Sequence, residues 1–188
     1  MIIQNKSIIL RDLIENDIVD HLKWRQTEIE WQNWDAPWEK EDHFDSKEFS
    51  EKMLKKINNK LKDDDIHHSF QICLNNSEQT HIGWVNAYYI SNNPNLTGKL
   101  AIGIDIPSKN MRSHGFGILA LKLFIEYLQE NEYNEIYLQT WSGNKSMIHV
   151  AKKLKFIEIN RISDIRLVNE KSYDALIFVL KTPRDKTR

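Results

Sequence analysis

The chain has 188 residues, with 26 Lys and Arg against 27 Asp and Glu for a net charge of −1, and with 40% hydrophobic and 28% charged residues. That length suits one domain over 1–188, the composition excludes a disordered chain, and the balanced charge excludes a global field for nucleic acid. A lone cysteine, Cys73, excludes an intrachain disulfide framework and a Cys-rich zinc site, and no metal is expected.

Residues 1–10 read as a strand and not as a leader, and no apolar run approaches the ~18 residues of a membrane span. No membrane partner is expected, and the expected address is the cytoplasm. SIILRDL (7–13) is β-prone, and Asn16 or Asp17 can cap a helix that carries Ile18, Val19, Leu22 and Trp24. Four of the six tryptophans fall between Trp24 and Trp38; core packing accounts for most of that density, with a ligand wall as the rarer reading. Asp45 or Ser46 caps the next helix, where Phe49, Met53, Leu54, Ile57 and Leu61 form a stripe before a solvated turn at 62–65. Its lysines are interleaved with acids, which makes a solvated face and not a nucleic-acid patch.

From Ser69 the hydrophobic period becomes two. SFQICL (69–74), HIGWVNAYYI (81–90) and KLAIGIDI (99–106) alternate with Asn-rich turns at 75–79 and 92–95, predicting a three-strand antiparallel meander. The adjacent His67 and His68 point apart on a strand and lack spaced partners, so they hold no metal. Cys73 reads as a buried strand residue. A polar stretch, SKNMRSHGFG (108–117), then opens a strongly apolar helix with Leu121, Phe124, Ile125 and Leu128, which must lie on a sheet. IYLQTW (136–141) is a strand, 144–154 a helix, 156–162 and 173–180 strands, and 181–188 a basic tail expected to fray. The order implies an α/β or α+β sheet covered by helices.

Arg112-Ser-His-Gly115-Phe-Gly117 joins the third meander strand to the apolar helix. Glycines permit close approach of backbone to ligand, and the open N–H groups of a helix N-terminus attract an anion. Arg112 would add a charge-assisted contact. A glycine-rich turn that merely starts a helix is the competing reading. Gly115-Phe-Gly117-Ile-Leu-Ala120 also fits G-x-G-x-x-A, but a dinucleotide-binding turn follows its strand at once, and the next strand ends without the acid that motif needs. No Gly-Lys-Ser/Thr completes a Walker A loop.

The loop resembles the acetyl-CoA pyrophosphate loop, R-x-x-G-x-G, of the GNAT superfamily of N-acetyltransferases. A second block, Thr140-Trp-Ser-Gly-Asn144 through Leu154-Lys-Phe156, is similar to that superfamily's strand, Asn-initiated helix and "K-L-G-F" ending. Leu10-Arg-Asp, Trp34-Asp-Ala-Pro-Trp38, Ile82-Gly-Trp-Val85, 101–106 and Tyr173-Asp174 extend the likeness to the bacterial RimJ/RimL-like branch. Two departures stand out: Lys155 replaces the usual Gly before Phe156, and Arg112-Ser-His stands where relatives often have Trp-Gly-Lys. The resemblance implies a single mixed, mostly antiparallel twisted sheet flanked by helices, with splayed central strands at 100–106 and 136–141. It implies acetyl-CoA as co-substrate, without a metal. Main-chain groups of Ile104 and Ile106 would pair with the pantetheine arm. Arg112, Ser113, His114, Gly115, Phe116 and Gly117 would surround the pyrophosphate. Asn144 would bond the arm, with Met147 and Ala151 beside it.

The implied reaction is direct attack of a primary amine, on a peptide N-terminus, a polyamine or another small amine, upon the thioester. An alkyl ammonium with pKa ~10 needs a base. Asp35, between tryptophans, is the leading candidate, against the alternative of an Asx turn before Pro37. Asp105 lies on the cofactor strand, where alternation can turn it away from the cleft. Ser142 is a candidate acid for the thiolate, against a capping role, and Tyr88 or Tyr173 would serve if the fold brings them near. Trp34, Trp38 and Trp84 would wall a cationic, partly apolar amine. The alternative function is a catalytically silent acetyl-CoA-binding module, and a homodimer through an exposed β-edge or the tryptophan region is open.

Overall fold

Asn5 bends the first β-prone run into two strands. Its side-chain oxygen accepts from the N–H groups of Ser7 and Ile8, each at 2.9 Å, so β1 (Ile2–Gln4) folds back antiparallel on β2 (Ile8–Arg11). The computed structural model describes residues 1–39, 43–59, 65–91 and 93–182. Expected features at Leu61, 62–64, residue 92 and 183–188 lie outside the described residues.

Helix α1 (Asp17–Gln26) follows, then α2 (Ser46–Asn58), whose expected cap Asp45 accepts from the N–H groups of Lys47 and Glu48. Between them, residues 29–39 form two short 3₁₀ turns, Ile29–Asn33 and Pro37–Glu39. The meander is β3 (Ser69–Leu74), β4 (His81–Tyr89) and β5 (Leu100–Asp105). After it come α3 (Phe116–Glu130), β6 (Glu135–Trp141), α4 (Lys145–Lys153), β7 (Ile157–Val168) and β8 (Lys171–Lys181). They build one eight-stranded sheet in the order β1-β2-β3-β4-β5-β6-β8-β7, antiparallel except where β5 meets β6.

Strand alternation sorts the core. Leu100, Ile102, Ile136, Leu138, Leu176 and Phe178 pack with Ala120, Leu121, Phe124 and Leu128 of α3, while Ala101, Tyr137, Ile177 and Val179 form a second cluster on the other face. Phe124, Leu121 and Leu128 are fully buried, each contributing about 1.5–3 kcal/mol of burial, so the apolar stripe of α3 anchors the helix whose N-terminus faces the loop.

The last hairpin is longer than its hydrophobic pattern predicts. Polar residues at 163, 164 and 166 hide the alternation of β7, and a two-residue turn at Asn169 and Glu170, both with positive φ (47° and 63°), joins the strands. Lys155, at the family's glycine position, is held at φ 67°, a left-handed conformation costing a non-glycine residue about 1–2 kcal/mol.

A buried polar network fixes α1 on the sheet. Both Asp17 oxygens accept from Arg11, each at 2.7 Å, and one also accepts from Ile14 N–H at 2.9 Å. Burial alone would raise the Asp17 carboxyl, but the bonds from Arg11 and Ile14 and the neighbouring His81 hold it below the usual range. Asp17, Asp20 and His81 bring ligand-type atoms within 4.8 Å of one another, yet Arg11 already saturates Asp17, so the cluster works as an internal ion-pair network. Behind it, His21 Nε2 and His81 Nε2 meet Gln71 Oε1 at 2.8 and 3.1 Å. Burial lowers His21 to about 4 and lowers His81 as well. A histidine kept neutral in the fold but free to protonate when unfolded contributes stability that is complete above its unfolded pKa of ~6.5 and is lost as pH falls toward the folded value. We therefore expect the unfolding free energy to drop by about 1.5 kcal/mol between pH 6.5 and 5 through His21 alone. Denaturant titration of wild type and His21→Gln at both pH values checks this; equal pH slopes in the two proteins would refute it.

Candidate active site

The central gap comes from the sheet itself. β5 and β6 share a single bridge, Ala101 with Tyr137, and then diverge, β5 holding to β4 through Asp105 and β6 to β8 through Trp141. A Cβ built on Gly83 would lie 2.0 Å from the Asp105 carbonyl, so that position requires glycine and the Asp105 carbonyl faces β4. Backbone alternation then turns the main-chain groups of Ile104 and Ile106 toward the gap. The Ile106 carbonyl is not free there, because it accepts from Arg112 Nε at 2.8 Å. Ile104 keeps the expected placement.

A cavity of about 1670 Å³ fills this gap and the space beyond it, larger than the ~300–1,000 Å³ of a single-ligand pocket. At one end stands the N-terminus of α3. Gly115, in the left-handed region at φ 82°, is its N-cap, and no side chain caps it. Ser113 is also left-handed at φ 64°. The N–H groups of Phe116, Gly117 and Ile118, which an α-helix cannot satisfy internally, are left for a ligand. Ser113, Gly115, Phe116 and Gly117 line the cavity, whereas the His114 ring lies outside the lining, stacked on Phe116 at 5.6 Å.

Arg112 corrects an expectation. Its guanidinium is spent on the protein: Nε on the Ile106 carbonyl, Nη2 on the Pro107 carbonyl, and Nη1 on Glu30 at 2.5 Å. It braces the loop, and the donors left open beside it are backbone N–H groups. Glu30 also accepts from Trp34 Nε1 at 2.8 Å, and the Trp34 and Arg112 bonds together hold its carboxyl below the usual range.

On the opposite lip, the Trp34 carbonyl accepts from Trp141 Nε1 and from Asn144 Nδ2, both at 3.0 Å. Segment 29–38 is thus pinned to the loop before α3 through Glu30 and Arg112, and to β6 and the N-cap of α4 through Trp34, and it roofs the gap. Asn144 also caps α4, its oxygen accepting from Met147 N–H at 2.9 Å; in this structure its side chain serves the roof and the helix. Met147 lines the cavity, but Ala151 is fully buried in the main core and does not.

The tryptophans divide. Trp24 is a core residue, Trp31 is buried but reaches the cavity, and Trp34, Trp38 and Trp84 line it. Trp38 packs edge-on against Trp141 at 6.0 Å. The two acidic candidates come together. The side chains of Ile104 and Ile106 face α3, their Cδ1 atoms 3.6 and 3.7 Å from where a Cβ on Gly117 would lie, so Asp105 between them points to the other face. There it lines the cavity with the exposed Asp35. Alternation does not turn Asp105 from the cleft, because the cleft extends across both faces of the splayed strand. Burial, with the Asp35 charge adding, raises the Asp105 carboxyl well above the ordinary carboxylate range against the opposing pull of Arg25 and Arg112.

Ser142 is not brought to the cavity lining: its Oγ accepts from Asp174 N–H at 2.9 Å, a clasp between β6 and β8. Tyr173 buttresses Trp141 edge-on at 4.8 Å and also stays outside the lining. Tyr88 does line it, its hydroxyl donating to Gln139 across the gap at 3.3 Å. Asn86, Gln139 and Arg166 are lining residues without a motif to announce them. The Cys73 thiol is buried on β3 and pushed up to about 11 by that burial, as an inert core residue should be.

The sequence model of an "Acetyltransferase (GNAT) domain" matches residues 7–157. The chain belongs to the GNAT acetyltransferase family. Solved GNAT-type structures share its fold over nearly the whole chain. An acetyltransferase of the GNAT family from Bacillus anthracis superposes with a TM-score of 0.72 at 12% identity, covering 96% of this chain and 98% of that one. A ribosomal-protein-S5-alanine acetyltransferase from Vibrio fischeri gives 0.70 at 16%, covering 100% of both chains. RimL, a ribosomal alpha-N-protein acetyltransferase solved in complex with coenzyme A, gives 0.68 at 13%, covering 96% and 98%. No curated protein matches the sequence at a significant level. The GNAT membership and the mixed sheet with its splayed centre are as the loop and the Asn144 block imply, and the chain is an acyltransferase of this family.

Proposed function

We propose that the protein transfers the acetyl group of acetyl-CoA to a primary amine, with Asp105 as the general base. The observation that carries this reading is a carboxyl of raised pKa facing the same continuous cavity as an uncapped helix N-terminus. Acetyl-CoA would supply the acetyl group and a thiolate leaving group. The N–H groups of the α3 N-terminus would hold its pyrophosphate, and the main chain of Ile104 would pair with its arm, supported by the absence of a partner on its β6 side among the described residues.

At the other end Asp35 and Asp105 attract an ammonium, and Trp34, Trp38 and Trp84 wall its apolar part. Asp105 takes the ammonium proton, since its raised pKa lies nearer that of the amine than an ordinary carboxyl's does. The free amine nitrogen then bonds to the acetyl carbon as the carbon–sulfur bond breaks, and the proton that the new amide nitrogen sheds passes to the thiolate, with the cavity-lining Tyr88 hydroxyl a candidate relay if it exchanges its bond to Gln139. The acceptors this suits are peptide N-termini and small amines; the ribosomal-protein acetyltransferases among the solved neighbours favour the peptide.

Isothermal titration with acetyl-CoA, followed by a free-thiol release assay over peptides, polyamines and aminoglycosides, tests the reading. Saturable binding with amine-dependent thiol release is the expected result. Binding without release from any amine would favour a silent acetyl-CoA-binding module, and absence of binding would overturn the assignment.

A further inference from the structure

β7 carries two arginines with opposite fates. Arg161 is consumed by Glu158, at 2.7 and 3.0 Å, and by Asp174 at 2.6 Å. Arg166, five residues on, makes no ion pair among the described residues, and its Nε is buried without a hydrogen-bond partner. Its guanidinium carbon sits 4.4 Å from the centre of the Trp38 ring. Trp38 in turn packs on Trp141, and Trp141 on Tyr173, which is the register partner of Arg166 across the hairpin. An arginine is thereby locked in one orientation on the cavity wall, flanked by the apolar Ile162 and Ile165. Of the other arginines on this wall, Arg112 is spent on Glu30 and two carbonyls, and Arg25 lies over the Phe49 ring at 4.8 Å, on the side of Asp105. A half-buried guanidinium whose buried Nε has no partner is costly unless an anion completes it, and its planar fork suits a carboxylate.

Resting on the acetyltransferase reading above, we infer that Arg166 selects acceptors carrying a carboxylate, in the form of an acidic side chain close behind a peptide's N-terminal amine. The charge arrangement in the cavity is bipolar, with Asp35 and Asp105 for the ammonium and Arg166 for an anion. Strand spacing favours one source of that anion. The bridge of Ala101 with Tyr137, carried four residues along, sets Asp105 level with Trp141, whose partner across β8 is Ala175 and, beyond it, Ile162 of β7. The main chains at Asp105 and Arg166 are therefore about three strand spacings apart, about 14 Å, a gap that the two side chains narrow. A free α-amino acid, with amine and carboxylate on one carbon, spans the least of it. An extended peptide gains about 3.3 Å per residue, so an acidic side chain at its second or third position spans more.

The test compares the C-terminally amidated hexapeptide Ala-Glu-Glu-Ala-Ala-Gly with its Ala-Gln-Gln counterpart, and alanine with alaninamide, on wild type, Arg166→Ala and Arg166→Lys. In wild type kcat/KM should favour the acidic peptide by about ten- to a hundredfold, the worth of a charge-assisted bond. Arg166→Ala should erase that preference while leaving the Gln peptide and acetyl-CoA affinity unchanged, Arg166→Lys should keep part of it, and alanine should gain nothing over alaninamide. Equal loss on both peptides in Arg166→Ala would overturn the inference and return Arg166 to a packing role on Trp38; a preference for alanine over alaninamide would overturn the peptide source. Binding of the two peptides to the protein saturated with CoA, read by tryptophan fluorescence, separates this from the acetyltransferase reading. Charge-selective binding that depends on Arg166 without transfer would refute only the reaction, whereas transfer with charge-blind binding would refute only the subsite.

Discussion

Gly115→Asp should weaken acetyl-CoA binding about a thousandfold while the protein still folds. The two effects of the substitution separate cleanly at this position. Gly115 has φ 82°, and a Cβ built on it meets nothing within 4 Å, so the cost to the fold is that of a left-handed non-glycine residue, about 1–2 kcal/mol. The cost to binding is electrostatic. Like unit charges about 4 Å apart at an effective dielectric of 20 repel by about 4 kcal/mol, about a thousandfold in Kd. Gly115→Ala carries the strain without the charge, and should lose a similar amount of stability but little affinity. Titration calorimetry with acetyl-CoA, paired with thermal melts of both variants, reads the two terms apart. Equal acetyl-CoA affinity in Gly115→Asp and wild type would place the pyrophosphate elsewhere.

The turn into α3 was legible because its signal is local: Gly115, Gly117 and the start of an apolar helix lie within six residues, and the open N–H groups of a helix N-terminus favour an anion. The splay of β5 from β6 followed from a family likeness, since a strand gap is a relation between segments that no period reveals. Arg112 shows the limit of reading charge from sequence. Beside a phosphate loop it reads as an anion ligand, yet Glu30, distant in the chain, and two nearby carbonyls take its donors. Asn144 likewise has the local signature of a cap, which it is, but its second bond, to Trp34 carbonyl, spans 110 positions. Ser142 failed for the same reason, its partner Asp174 being brought alongside by the β6–β8 ladder. The last hairpin was underestimated because β7 is an edge strand whose polar residues break the alternation that marks half-buried strands. Arg166 had no signal at all, because the ring under its guanidinium, Trp38, lies 128 positions before it and its register partner, Tyr173, comes after it.

Asp105→Asn should lower kcat by about 10²–10⁴, the range of a lost general base, without changing acetyl-CoA affinity. The sign of its pH dependence follows from the environment. A base works only when deprotonated, so activity is complete above the Asp105 pKa and is lost as pH falls through it. Burial and the facing Asp35 raise that pKa, which puts the acidic limb of kcat/KM above the ~3.9 of an ordinary aspartate. Asp35→Asn removes one of the two raising influences and keeps the burial, so its limb should move to lower pH while the plateau rate changes far less than in Asp105→Asn. That contrast assigns the roles of the two acids. If Asp35→Asn instead abolishes turnover and Asp105→Asn leaves the limb where it was, Asp35 is the base and Asp105 the residue that tunes it. The geometry favours the first assignment, because Asp105 lies on the splayed strand, beside the main chain of Ile104 where the thioester arm is expected, whereas Asp35 sits on the roof and is exposed.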